Sequence, residues 1–227
     1  MIRALPALAL ALLVQAQSGD LASLERAVAA DPENLRVASD YRQSTIAAGA
    51  FDRSIDFLEK LAKRKDAGPN VQISLALACV DKVPASGEIR RLYLGRDAMN
   101  ALTRAIERQP TVLAYFLRGL INLYYNNIIF KRIPRGLTDL QQALSLVSTQ
   151  TPSALTARVQ IAIGDGYWRL DDRAKAREVW TAAATAFPDN VELKRRLDSD
   201  AEKVRWTVLD ALSASTRVDT TLRGLIP

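Results

Sequence analysis

The chain contains no histidine, and that absence removes much chemistry at once. Without imidazole there is no Ser–His or Cys–His nucleophile pair, no imidazole general base and no histidine-containing metal site. A single cysteine, Cys79, cannot close an internal disulfide or build a thiolate zinc or iron–sulfur centre. It sits in an apolar helical pattern, where a thiol behaves as a small buried hydrophobe. Glycine is scarce, 10 in 227 residues, and no glycine-rich loop follows a strand, so neither phosphate-cradle fingerprint applies. No window alternates β-branched residues with period two, which excludes strands from the expectation. Paired acids do occur at Asp171 and Asp172. They precede a helical stretch, where carboxylates cap the helix and meet the positive end of its dipole. Nothing around them would raise one pKa for hydrolytic work. The sequence therefore predicts no enzyme, no cofactor and no metal.

What the sequence does hold is ordinary globular material. Hydrophobic residues make up 48% and charged residues 25%, with long runs of Ala, Leu, Arg and Glu that favour helix. The length suits one or two domains or a short repeat array. Residues 1–16 stand apart: a basic MIR start, the apolar run ALPALALALLV and a small-residue site at Val14-Gln15-Ala16 make the pattern of a secretory signal peptide cut after Ala16. The expected location is periplasmic or secreted. The apolar run is too short to span a bilayer comfortably, and no second run of membrane length follows. The formal charge is +6, but the basic clusters (Lys60 to Lys65, Arg90 and Arg91, Lys131 to Arg135, Lys194 to Arg196) mostly alternate with acids on helical faces. Solvated faces explain them, and nucleic acid is not an expected partner.

The best-patterned stretch is 156–188, TARVQIAIGDGYWRLDDRAKAREVWTAAATAFP. It reads as two short antiparallel helices. Ala176, Trp180 and Ala183 form a stripe at three- and four-residue steps, and Gly164 and Ala176 are small where two backbones approach closest. The order Gly, Tyr167, Ala, aromatic, Ala, Pro188 resembles a tetratricopeptide (TPR) repeat, a helix pair of about 34 residues. Upstream, 113–147 resembles the same family through Tyr115, Arg118 and Gly119, followed by Leu140 and Ala143. Unit 35–68 has Tyr41, Gly49, Ser54 and the stripe Phe57, Leu58, Leu61; Arg42 stands where the family has glycine, which predicts a tilted or more solvated first helix. A unit from Pro69 pairs Leu75, Ala76 and Cys79 with Ala98, Leu102 and Ala105. Residues 19–32 resemble a second helix alone, with Asp31 and Pro32 suited to start the next.

The resemblance implies an all-α fold, a right-handed superhelical α-solenoid of antiparallel helix pairs over 17–188, interrupted by insertions near 84–93 and 128–134. Insertions of this kind are accommodated in loops. The second, IIFKRIP, is apolar and basic together, the make-up of a peripheral membrane contact. A long amphipathic helix within 189–214 is expected to cap the array, and 215–227 lacks a helical period and reads as an irregular tail. In this family the first helices line a concave groove. Carried over, the groove-facing residues are Arg36, Ser39, Gln43, Asn70, Ile73, Leu77, Phe116, Leu120, Leu123, Tyr124, Arg158, Ile161, Asp165, Trp168 and Arg169. Aromatic and Arg side chains of this kind are common interface anchors. The implied function is a non-catalytic adaptor or scaffold that binds another protein or peptide in that groove, within the bacterial envelope or periplasm. The alternative is a small-molecule or lipid-binding helical module of the periplasm.

Overall fold

A computed structural model describes residues 20–124, 131–211 and 220–227. The signal segment and Ile128, Ile129 and Phe130 of the second insertion lie outside the described residues. Within them all regular structure is helical: α1 (20–30), α2 (Leu35–Ala47), α3 (Phe51–Ala62), α4 (Pro69–Lys82), a 3-10 turn (Val83–Ala85), α5 (Glu88–Arg108), α6 (Val112–Tyr124), α7 (Ile133–Ser145), α8 (Ser153–Arg169), α9 (Arg173–Ala186), α10 (Val191–Arg196) and α11 (Ala201–Ala211). Successive helices pack as pairs, α2 with α3, α4 with α5, α6 with α7 and α8 with α9, and each pair lies against the next. First helices also touch across pairs, α2 with α4 and α6 with α8, and form the inner wall.

Small residues set how closely the pairs nest. A Cβ on Gly164 would lie 2.1 Å from Trp180 Nε1, so the indole occupies the space a side chain would need. That indole donates to the Ile161 carbonyl at 3.3 Å. Gly119 and Gly136 face each other in the α6–α7 pair, where a Cβ on either would come within about 3 Å of the other's carbonyl oxygen. Arg118 binds this pair to the one before: it holds both Asp139 oxygens, at 3.0 and 2.7 Å, and donates to Thr103 Oγ1 on α5.

Polar side chains fix the joints. Asn34, not Asp31, caps α2, accepting from the Arg36 and Val37 amides, while Pro32 stays in the preceding turn. Glu33 beside it reaches the start of α4, where its carboxylate accepts from the Gly68 and Asn70 amides at 2.9 and 3.0 Å. Glu33, just ahead of α2, thus caps α4, and Glu33→Ala is expected to cost about 1–2 kcal/mol in urea unfolding. Gly49 turns α2 into α3 with φ 65. Asp172 caps α9 through the Lys175 amide, as its position ahead of the helix suggested.

At the first pair, Glu25 of α1 accepts from Arg53 (2.7 and 2.9 Å) and from the Tyr41 hydroxyl (2.9 Å). The Arg53 hydrogen bond, aided by Tyr41, holds the Glu25 pKa below its ordinary 4.5 despite partial burial. A depressed carboxylate contributes stability above its unfolded pKa and loses it as pH falls through the folded value. The urea midpoint should therefore drop on acidification below pH 4.5, and Arg53→Met should flatten that limb. An equal slope in the variant would assign the acid sensitivity elsewhere.

Four expectations are corrected. The 84–93 insertion is not a loop: after the 3-10 turn it becomes the first turns of α5, a helix of 21 residues. Extension keeps the main chain hydrogen-bonded but leaves Ile89, Leu92 and Tyr93 exposed. The capping helix is two helices. Asp200 accepts from the Glu202 and Lys203 amides and Asp198 from the Asp200 amide, so side chains take over main-chain donors and start α11 afresh. Arg42 does not solvate its helix; it is 1% exposed and paired with Asp81 at 2.8 Å. Arg196, read as part of a solvated basic face, is buried at 2% exposure, because it pairs with Asp165 on α8 at 2.6 Å.

Candidate functional site

The inner wall opens toward a cavity of about 950 Å³ between α6, α8, α10, α11 and the segment 220–227. Phe116, Leu120 and Leu123 of α6 and Ile161 of α8 make its apolar floor. These positions recur at three- and four-residue steps, so one helical face supplies them. Charged groups of both signs stand around it, Arg158, Arg195, Arg196 and Lys203 against Asp165, Glu192, Asp198 and Asp210, with Trp206 and Leu225 among the remaining lining residues. A balanced set of charges gives no net field for a polyanion, whereas an apolar floor with alternating charge suits a polypeptide.

One charge cluster is structural. Arg196 Nε and Nη2 meet Asp165 Oδ1 and Oδ2 at 2.6 and 2.8 Å, and Arg196 Nη1 reaches Glu192 at 3.1 Å. Burial pushes the Asp165 carboxyl above its ordinary range, while the guanidinium opposes that shift. The pair clamps α10 onto α8 and so fixes one wall of the cavity.

The other end of the groove is occupied by the chain itself. Segment 220–227 runs along α2 with Leu222 and Leu225 buried. A turn with Leu222 at φ 57 and Gly224 at φ 73 points both leucines inward. Arg42 Nη2 donates to the Thr220 carbonyl at 2.5 Å, Ser39 Oγ to Thr221 at 2.8 Å and Arg36 Nη2 to Pro227 at 2.6 Å.

The sequence-expected groove residues therefore separate into groups. Phe116, Leu120, Leu123, Arg158, Ile161 and Asp165 come together on the cavity. Arg36 and Ser39 contact segment 220–227, and Gln43 lies on the same helix with no acceptor for its buried Nε2 among the described residues. Asn70 instead donates to the Glu33 carbonyl at 2.8 Å, tying a joint, and Ile73 and Leu77 are core. Tyr124 and Arg169 are half-buried off the cavity, and Trp168 lies under Arg173, 3.6 Å from guanidinium carbon to ring centroid. Sequence reasoning missed Glu192, Arg196, Trp206 and Leu225, which line the cavity. Their membership depends on the helix break and the folded-back segment; the Asp198-Ser199-Asp200 run was the available signal.

The fold and its concave wall define a TPR-like helical solenoid. Among solved structures, the chain resembles a thermophilic TPR protein of Thermus thermophilus, with TM-score 0.59 and 18% identity over 88% of this chain and 96% of that one. It also resembles MamA, with TM-score 0.51 and 17% identity over 74% of this chain and 87% of that one. No family model matches the sequence. It is 32% identical over 100 residues to the bacteriophage adsorption protein A of Escherichia coli (strain K12), a stretch covering 44% of this chain and only 9% of that protein.

Proposed function

We propose that this chain is a non-catalytic adaptor that holds an extended segment of another protein in its concave groove, in the bacterial envelope or periplasm. The observation that carries the reading is the cavity: an apolar floor of Phe116, Leu120 and Ile161 under charges of both signs, on the inner wall of a TPR-like solenoid. Two further features support the location. Residues 1–16 have the make-up of an export signal, and the E. coli relative is named for phage adsorption, an event of the cell surface.

Affinity capture from the envelope fraction tests the groove. Leu120→Asp with Arg158→Glu changes one floor and one rim residue, at positions that are half-buried and exposed. The variant should lose the partners that the wild-type chain retains. An identical partner list for both proteins would sink the groove as the binding face. Mass spectrometry of the chain recovered from cells tests the location: a mature N-terminus at Gln17 in the periplasmic fraction is expected, and an intact Met1 in the cytoplasm counts against it.

A further inference from the structure

Three donors on α2, Arg36, Ser39 and Arg42, stand three residues apart and so share one helical face. All three donate to main-chain carbonyls of segment 220–227, and none reads a side chain. Their partners run in reverse order: Arg42 meets Thr220, Ser39 meets Thr221 and Arg36 meets Pro227. The segment therefore lies antiparallel to the helix. Between these contacts Leu222 and Leu225 are buried at 1% and 3% exposure. Main-chain hydrogen bonds from one helical face plus two buried apolar side chains are the elements of a peptide-recognition site. A guanidinium as buried as Arg42 needs acceptors, and the segment supplies one through Thr220.

Resting on the groove reading above, we propose that this cleft is a docking site for a turn-forming segment of a partner protein with two leucine-class side chains three residues apart, and that segment 220–227 holds it as an internal competitor. Two observations favour a competitor over a permanent part of the core. Leu222 adopts φ 57, a left-handed conformation that only glycine takes without strain. In addition, Arg42 Nε and Gln43 Nε2 are buried with no acceptor among the described residues, so the segment leaves donors on α2 unmet. A partner segment that makes the same turn with less strain and brings one more acceptor displaces it.

The test uses the full chain and a fluorescein-labelled peptide TTLRGLIP. Leu222→Ser with Leu225→Ser releases the internal segment without touching α2. An internal competitor lowers apparent affinity by the fraction of open sites, so this variant should bind the peptide at least about ten-fold tighter than the wild-type chain. Arg42→Ala in that background should abolish the gain. Equal binding by wild type and the released variant overturns the proposal. So does light scattering that finds a wild-type dimer and a monomeric variant, since the segment would then be exchanged between two copies. If circular dichroism finds the released variant unfolded, hydrogen exchange on the wild-type chain decides: amides 222–226 should be protected and lose protection in excess peptide, while α2 keeps its own. Unprotected amides, or protection indifferent to peptide, refute it. Envelope capture that still depends on Leu120 and Arg158 when peptide exchange fails would remove this inference and leave the adaptor reading. Exchange without capture would do the reverse.

Discussion

Gly164→Leu is expected to lower stability by at least about 3 kcal/mol, the upper range for overpacking in a well-packed core. For a domain of this size that corresponds to a fall in Tm of roughly 6–12 °C. The cause is local and steric. Even the first side-chain atom would stand 2.1 Å from Trp180 Nε1 and 2.4 Å from its Cδ1, far inside contact distance. Trp180 is 2% exposed and cannot swing outward without opening α9 from α8. Moving the ring also breaks the indole N–H bond to the Ile161 carbonyl, which leaves the buried N–H unmet at a further cost of about 1–3 kcal/mol. Helix propensity works the other way, since leaving glycine gains up to about 1 kcal/mol, and it does not offset the clash. Differential scanning calorimetry and tryptophan emission report the two halves of the argument. Gly164→Ala should fall between, with Trp180 red-shifted as its ring becomes wetter. An unchanged melting curve for the leucine variant would mean that the two helices do not nest as described.

How much of this was legible in the sequence follows from the range of each interaction. Gly164, Trp180, Gly119 and Gly49 were readable because one repeat is one hairpin, and its small and large residues meet at short, periodic separations. The floor of the cavity was readable for the same reason: Phe116, Leu120 and Ile161 follow from helical register within first helices. Asn70 went astray because its partner, Glu33, lies 37 residues away in another joint. Arg42 shows the limit most clearly. A charged residue in place of the family glycine reads as a loss of packing, and only the folded chain reveals Asp81 on α4 and the Thr220 carbonyl as its counterweights. The cap was misread because amphipathic period continues through 197–200 while Asp198 and Asp200 compete locally for the amides. The pattern of apolar residues recorded the burial and hid the break.

The buried Arg196–Asp165 pair gives the strongest single substitution after Gly164. Arg196→Met is expected to cost about 3–5 kcal/mol at pH 7, because it strands a buried carboxylate without its counter-charge. Asp165 and Arg196 are 5% and 2% exposed at the side chain, so water cannot replace the lost partner. The pH dependence gives a second readout. Burial already pushes Asp165 upward, and losing the guanidinium pushes it further. An acid with a raised folded pKa favours the folded state at low pH and penalises it as pH rises through that value. The variant should therefore regain more stability than wild type between pH 7 and the ordinary carboxyl value of 3.8. Urea midpoints at pH 7 and pH 5 suffice to see it. Adding Asp165→Leu to Arg196→Met removes both charges, and buried pairs replaced by apolar residues are often neutral or stabilising. The double variant should thus recover most of the loss while flattening the pH dependence. It should also weaken capture of a partner, because Glu192 and Arg196 leave the cavity wall as a charged pair. A single variant within about 1 kcal/mol of wild type at pH 7 would place that pair in the range of exposed ion pairs, and the clamp between α10 and α8 would have to be sought elsewhere.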